Sequence, residues 1–333
     1  MLKEIGRLRG QSALVEQLLR IAQSVQDPAF LALAHLLRGE GLYFRGEWVA
    51  ALDHLEQGLA LYDPQQFPAH DFFSSLFDVG VYCRCFAAMA LGLLGYPDQA
   101  LRRVHEALTL ARAGAHSYTS ALALNWVAVI HLLRGEVEAV QEQAAAVVAL
   151  ATEQGLPDVL AFGTIEQGWA RVQPGEVEAG IGQIRDGLTH FQAIGFWVVI
   201  PSYLAMLAEA HMRVGQIEEG LSVVAEALAV VDKTGVRTIE AGLYVLKGWL
   251  LFFSTGDPAA AEACFQQAID IARRQSAKSP ELGAAVSLAR LWQQQGKKDE
   301  ARQMLAEIYG WFTEGFDTKD LQEAKALLEE LSH

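Results

Sequence analysis

Glycine returns along this chain with an almost fixed period. Gly46, Gly95, Gly135, Gly175, Gly215, Gly256 and Gly296 are separated by 49, 40, 40, 40, 41 and 40 residues. A polar or acidic stretch follows most of them, as in Leu133-Arg134-Gly135-Glu136-Val137-Glu138-Ala139 and Gln173-Pro174-Gly175-Glu176-Val177-Glu178-Ala179. Seven residues before the glycine stands a small residue: Gly39, Ala88, Ala128, Gly168, Ala208 and Ala289. Gly248 stands eight before in the unit whose interval is 41. Five residues after it stands another mostly small one: Ala51, Ala100, Val140, Gly180, Gly220, Ala261 and Ala301. A register held on both sides of seven glycines requires one supersecondary unit repeated in tandem. The unit is a helix, a tight turn at glycine and an antiparallel partner helix. Its small residues lie where the two backbones come closest.

This spacing matches the tetratricopeptide (TPR) pattern, and Ala261, Phe265 and Ala268 reproduce its second-helix signature. The usual repeat has about 34 residues. A period near 40 adds almost two helical turns per pair, so helices of about 16–18 residues are expected. The fold class is therefore all-α: a right-handed TPR-like solenoid of about eight units, forming a single superhelical domain over 1–333. Gly10 reads as the turn of a first, incomplete unit, with Val15, Leu19 and Ala22 on its second helix. Its first helix lacks the residues it needs, which suggests a piece of a longer multidomain protein. The 49-residue interval holds an inter-repeat insertion at about 62–78. Asp317-Thr318-Lys319-Asp320 reads as an N-cap for a terminal capping helix at about 318–332, polar on one face. Asn125 is the only asparagine, as suits long helices and short turns.

Composition removes several function classes. With 26 Lys+Arg against 40 Asp+Glu, the net charge is −14, so the phosphate backbone of a nucleic acid is a poor partner. Apolar residues make up 52% of the chain, which excludes disorder. The longest apolar runs fall far short of a membrane span, and the N-terminus carries no secretory h-region. Cys83, Cys85 and Cys264 form neither a disulfide framework nor a zinc motif, and read as small apolar residues on helices. A reducing cytoplasm is the expected compartment.

No signature of chemistry is present. There is no phosphate loop, no G-x-S-x-G and no H-E-x-x-H, so no catalytic, cofactor-binding or metal site is expected. His131 and His211 each fall four residues before a turn glycine, where a packed, hydrogen-bonded histidine suits the unit. Acidic runs such as Glu136 to Glu138 open second helices, where carboxylates favour the helix dipole.

Three segments carry a resemblance. Leu93-Leu94-Gly95-Tyr96-Pro97-Asp98-Gln99-Ala100-Leu101, Ala229 to Gly235, and the tail Tyr309-Gly310-Trp311-Phe312-Thr313-Glu314-Gly315-Phe316-Asp317-Thr318 are similar to a large family of bacterial signalling proteins. In that family a class III adenylate/guanylate cyclase or another effector precedes a STAND-type ATPase and a C-terminal TPR region. More distantly the chain resembles the sensor superhelix of the maltose-regulon transcription activator. The resemblance implies a non-catalytic regulatory module that binds a protein segment, or another domain of its parent, in a concave groove. The alternative it implies is a small-ligand sensor whose occupancy controls attached effector domains. Self-association stays open. Counting back from the turn glycines places Glu40, Tyr43, Met89, Asn125, Val129, Trp169, Glu209, Met212, Arg213, Trp249 and Arg290 on the inward face of first helices. Trp169, Glu209 and Trp249 hold equivalent positions in successive units. Trp and Arg are the usual anchors of recognition surfaces.

Overall fold

The computed structural model describes residues 8–63, 78–114 and 116–333, and among them are sixteen helices and no strand. After α1 (Leu8–Val25), seven helix pairs turn at the seven periodic glycines. They are α2 (Pro28–Phe44) with α3 (Trp48–Leu61), α4 (Val79–Leu94) with α5 (Pro97–Ala113), and α6 (Ser117–Arg134) with α7 (Val137–Gln154). α8 (Pro157–Val172) with α9 (Val177–Ile194), α10 (Ile200–Arg213) with α11 (Ile217–Thr234), α12 (Glu240–Thr255) with α13 (Pro258–Arg274), and α14 (Lys278–Gln294) with α15 (Lys298–Tyr309) follow. α16 (Lys319–Glu330) ends the array. Twelve of the sixteen helices have the expected 16–18 residues.

Each turn glycine has a positive φ, from 68° to 107°, a backbone region that costs other residues free energy. At Gly256 the Asp257 N–H turns to Thr255 Oγ1; at the other six the residue after the glycine donates its N–H to the carbonyl five residues back, as Glu136 does to His131 and Gln216 to His211, both at 3.0 Å. This is the Schellman arrangement that satisfies orphan helix carbonyls. The two histidines brace the same turns from their side chains: His131 Nδ1 meets the Glu136 carboxylate and His211 Nδ1 meets Gln216 Oε1. Pro28, Pro97, Pro157 and Pro258 open helices, where a missing N–H costs nothing. The small positions lie where backbones touch: a Cβ on Gly180 would stand 2.5 Å from the Gly168 carbonyl.

Gly10 departs from its expected role. It lies inside the first turn of α1, and the residues before α1 lie outside the described ones. The 62–78 insertion falls almost wholly outside the described residues. At its edges Tyr62 Oη donates to Asp78 Oδ2 at 2.8 Å, and Asp78 caps α4 through the Val81 N–H. Cys83, Cys85 and Cys264 are free and buried, and burial pushes the Cys83 thiol up to about 12.

Consecutive first helices touch one another, from α2–α4 through α12–α14, while second helices pack mainly on the first helices beside them. First helices therefore face the axis of the winding. The winding then meets itself. The Arg237 N–H donates to the Phe44 carbonyl at 2.7 Å, Ser279 Oγ to the Gly92 carbonyl at 2.8 Å, and α14 packs on α4. These contacts and those of the tail join residues 183 to 217 apart, or about five units.

The tail makes the densest part of this seam. Glu314 Oε1 accepts the Asp98 and Gln99 N–H groups at 3.0 Å each, capping α5 from more than 200 residues away. Arg134, 3% exposed, bonds Glu136 at 2.6 Å and both Asp98 and Asp317 at 2.9 Å. Against burial, hydrogen bonds from His131 and Arg134 hold the Glu136 carboxyl below its ordinary range. α16 packs on α14 and α15, and Thr318 sits at its N-cap without a side-chain cap bond.

Candidate functional site

The inward stripe of the first helices divides into two levels. At the upper level, aromatic rings pass from helix to helix: Tyr43 to Phe86 at 5.4 Å, Phe86 to Trp126 at 5.7 Å, and Tyr82 to Trp126 at 5.0 Å. Tyr203 on α10 stacks instead on Phe191, 5.8 Å away. Burial raises its hydroxyl pKa, and the nearby charges of Glu166 and Tyr43 raise it further. Five successive first helices thus converge on the axis. Some polar groups here lack partners: among the described residues Asn125 Oδ1 and both oxygens of Glu166 make no hydrogen bond, although the residues are 4% and 1% exposed. Burial drives the Glu166 carboxyl well above its ordinary range. Glu40, one helical turn before Tyr43, is enclosed by protein yet still partly reached by solvent, and burial raises its carboxyl to about 7.

At the lower level a cavity of about 560 Å³ opens between the inward faces of α10, α12, α14 and α16. Met212, Trp249, Val286, Arg290, Asp320 and Glu323 are among its lining residues. Its apolar wall is an aromatic shelf: Trp249 stacks on Phe253 with centroids 5.9 Å apart and planes 22° off parallel, and Phe253 is 55% exposed. Trp249 is fixed from behind, since its Nε1–H donates to Ser287 Oγ at 3.2 Å and its ring meets Phe265 at 5.1 Å. The opposite wall is charged. Arg290 lies 3.6 Å from Glu323, and Asp320 has no ion pair or hydrogen bond among the described residues. Asp320 is exposed, at the start of α16 on the rim of the cavity, with the Glu323 carboxylate beside it.

The structure sorts the sequence candidates accordingly. Trp249, Arg290 and Met212 share the cavity. Glu209 and Arg213 pair with each other at 2.9 Å, and Arg213 also donates to Gln173 Oε1 at 2.8 Å. Glu40, Tyr43 and Asn125 belong to the upper level, with Tyr43 only 4% exposed, and Met89 packs between the two clusters beneath it. Trp169 is 8% exposed and packs against Val140, Ala170 and Met206, so it does not share a cavity with Trp249 despite its equivalent position. Phe253 and Ser287 were missing from the sequence set. Phe253 was within reach of it, because a residue four after Trp249 shares its helix face. Asp320 and Glu323 were not, since their place depends on α16 turning back onto α14.

No group of three or more His, Cys, Asp or Glu side chains able to hold a metal occurs among the described residues, and no described helix is long and apolar enough to cross a membrane.

Tetratricopeptide repeat profiles match residues 32–57, 81–106, 241–275 and 282–307, which lie on the helix pairs described above. The chain is similar to an uncharacterized protein of Rhizobium meliloti (strain 1021), with 25% identity over 232 residues, covering 68% of this chain. It spans only 22% of the length of that protein. Among solved structures, it resembles the Rap conjugation gene regulator of plasmid pLS20 in complex with the Phr* peptide. The TM-score is 0.63 at 11% identity, with 91% of this chain and 75% of that one covered. It also resembles the apo form of the quorum sensor NprR from B. thuringiensis, with a TM-score of 0.55 at 18% identity, covering 89% and 81% of the two chains. These likenesses establish a TPR-like α-solenoid.

Proposed function

We propose that the chain is a non-catalytic, cytoplasmic interaction module of a larger bacterial signalling protein, and that it grips an extended peptide or protein segment on its inward face. The observation that carries this reading is the cavity between α10, α12, α14 and α16, with the rigid Trp249–Phe253 shelf open on one wall and Arg290 on the other. A fixed aromatic beside an arginine gives contact area at low entropic cost. The resemblance to cyclase–ATPase signalling proteins makes another domain of the parent one source of the segment. The peptide complex of the Rap regulator with its Phr* peptide lends the fold a precedent. A small-molecule sensor is the second reading, because about 560 Å³ lies within the range of ordinary ligand cavities.

Selecting short peptides from a random library on the immobilised chain tests the first reading. Enriched sequences should bind Trp249→Ala about tenfold or more weakly and bind the outer-face variant Val49→Ala unchanged. If nothing is enriched, or Trp249→Ala binds as well as the parent chain, the peptide reading falls. A metabolite that raises the melting temperature while no peptide binds would favour the sensor.

A further inference from the structure

The inward face is short of hydrogen-bond donors and of positive charge. Arg213 and Arg290 are already committed, to Glu209 at 2.9 Å and to Glu323 at 3.6 Å. Among the groups left open after these pairings, carboxylates stand out, with Gln173 Nε2 the open buried donor among the described residues. Asp320 and Glu40 carry no ion pair or hydrogen bond among the described residues. Both Glu166 oxygens and Asn125 Oδ1, on residues at least nine-tenths buried, likewise have none. Of these, the Asp320 carboxylate is the one an occupant of the cavity can reach, and an N–H donor of positive charge serves it best.

The aromatic shelf points the same way. Four other aromatic residues already carry a lysine over the ring: Trp197 with Lys233, Tyr244 with Lys247, Trp311 with Lys278 and Trp292 with Lys297, at 5.4 to 5.9 Å. Trp249 and Phe253 carry none among the described residues, and they line a cavity where, of the described charged residues, Asp320 alone is without an ion pair. An aromatic face and a carboxylate across one cavity make a seat for an ammonium or guanidinium group, which takes attraction from both.

Resting on the reading of the inward face as a peptide groove, we infer that the occupant is a cationic peptide segment. One of its Lys or Arg side chains lies against the Trp249–Phe253 shelf with its charge on Asp320. The complementarity extends to the whole molecule, whose net charge of −14 draws a cationic chain toward it.

Three fluorescein-labelled peptides, alike except for Lys, Gln or Glu at alternate positions, are titrated against the full chain at low and high salt. The Lys peptide should bind about tenfold or more tightly than the Gln peptide, with the Glu peptide weakest and the preference shrinking as salt rises. Asp320→Asn, nearly isosteric, should weaken the Lys peptide about fivefold or more and leave the Gln peptide unchanged. Equal binding of all three peptides, still lost in Trp249→Ala, would overturn the charge assignment and leave the groove standing. Binding of none of them, together with an empty library selection, would remove the groove reading and this inference with it. Spermidine is the control for a free amine: if it binds in an Asp320-dependent way and the Lys peptide does not, the occupant is a small amine rather than a segment.

Discussion

Replacing Arg134 by alanine should loosen the contact between successive turns of the winding. The guanidinium is 3% exposed and bonds three carboxylates, on Asp98, Glu136 and Asp317. Breaking a buried ion pair by removing one partner usually costs about 3–5 kcal/mol. Here the stranded carboxylates are 41%, 30% and 70% exposed, so water recovers part of the loss, and about 2–3 kcal/mol is expected. At about 2.1 cal/mol/K per residue, 333 residues give an unfolding entropy near 0.7 kcal/mol/K, so the melting temperature should drop by about 3–4 °C. The sharper readout is local. The Asp98 and Gln99 amides donate to Glu314 across the seam, so an opening eased by 2–3 kcal/mol should speed their hydrogen exchange about 30- to 150-fold. Glu314→Ala should reproduce that exchange pattern with a smaller loss of melting temperature, because Glu314 is not buried at the centre of the network. Unchanged exchange at Asp98 and Gln99 in Arg134→Ala, with a fall in melting temperature, would show that Arg134 supports only its own helix, and the seam argument would fail.

Two further outcomes follow from the same geometry. Glu40 carries a carboxyl raised from 4.5 to about 7 by burial, so the folded chain holds a proton that the unfolded chain has lost. Its stability therefore falls as pH rises through that window. Glu40→Gln should match the parent near pH 4 and exceed it by about 1–2 kcal/mol near pH 8, read from urea midpoints at both values; a constant difference across pH would contradict the assignment. Gly180 and Gly182 sit two residues apart on α9 with opposite surroundings. Gly180→Ala drives a Cβ to 2.5 Å from the Gly168 carbonyl and should destabilise by about 1–3 kcal/mol. Gly182→Ala meets nothing within 4 Å and should stabilise by about 0.5–1 kcal/mol. Thermal melts that move both variants in one direction would refute the close-approach reading.

The repeat was legible because its causes are local. A tight turn between antiparallel helices needs a positive φ, which selects glycine, and close backbones need small residues, so both leave marks at fixed spacing. A second set of marks was there too. Gly155, Gly195 and Gly235 keep the same 40-residue step, with positive φ where second helices end, and Ser276 adopts that conformation in the following unit. These mark the joins between pairs rather than the turns within them, so they form a register of their own. Gly10 shows the limit of such marks, since it lies inside α1 although its spacing in the sequence resembles that of a turn glycine.

The candidate site was legible in part for the same reason. Position within a helix face follows from counting, so Trp249, Met212 and Arg290 were found, and Trp169 was placed on the same stripe. Counting does not say how tightly the array winds. That depends on the sum of many small inter-helix rotations and on the contacts that stop them: the Glu314 cap on α5, the Arg134 network, and the Phe44 carbonyl bonded to Arg237. The tail motif stood out in the sequence as a signature without a purpose, and the tertiary structure gave it one, as the strap between turns. So the sequence by itself determined the unit, its period and which helices face inward, because those follow from the stereochemistry of one turn. Only the tertiary structure decided that Asp320 shares a cavity with Trp249 and that Glu166 meets no donor among the described residues, because those relations join residues that stand far apart along the chain.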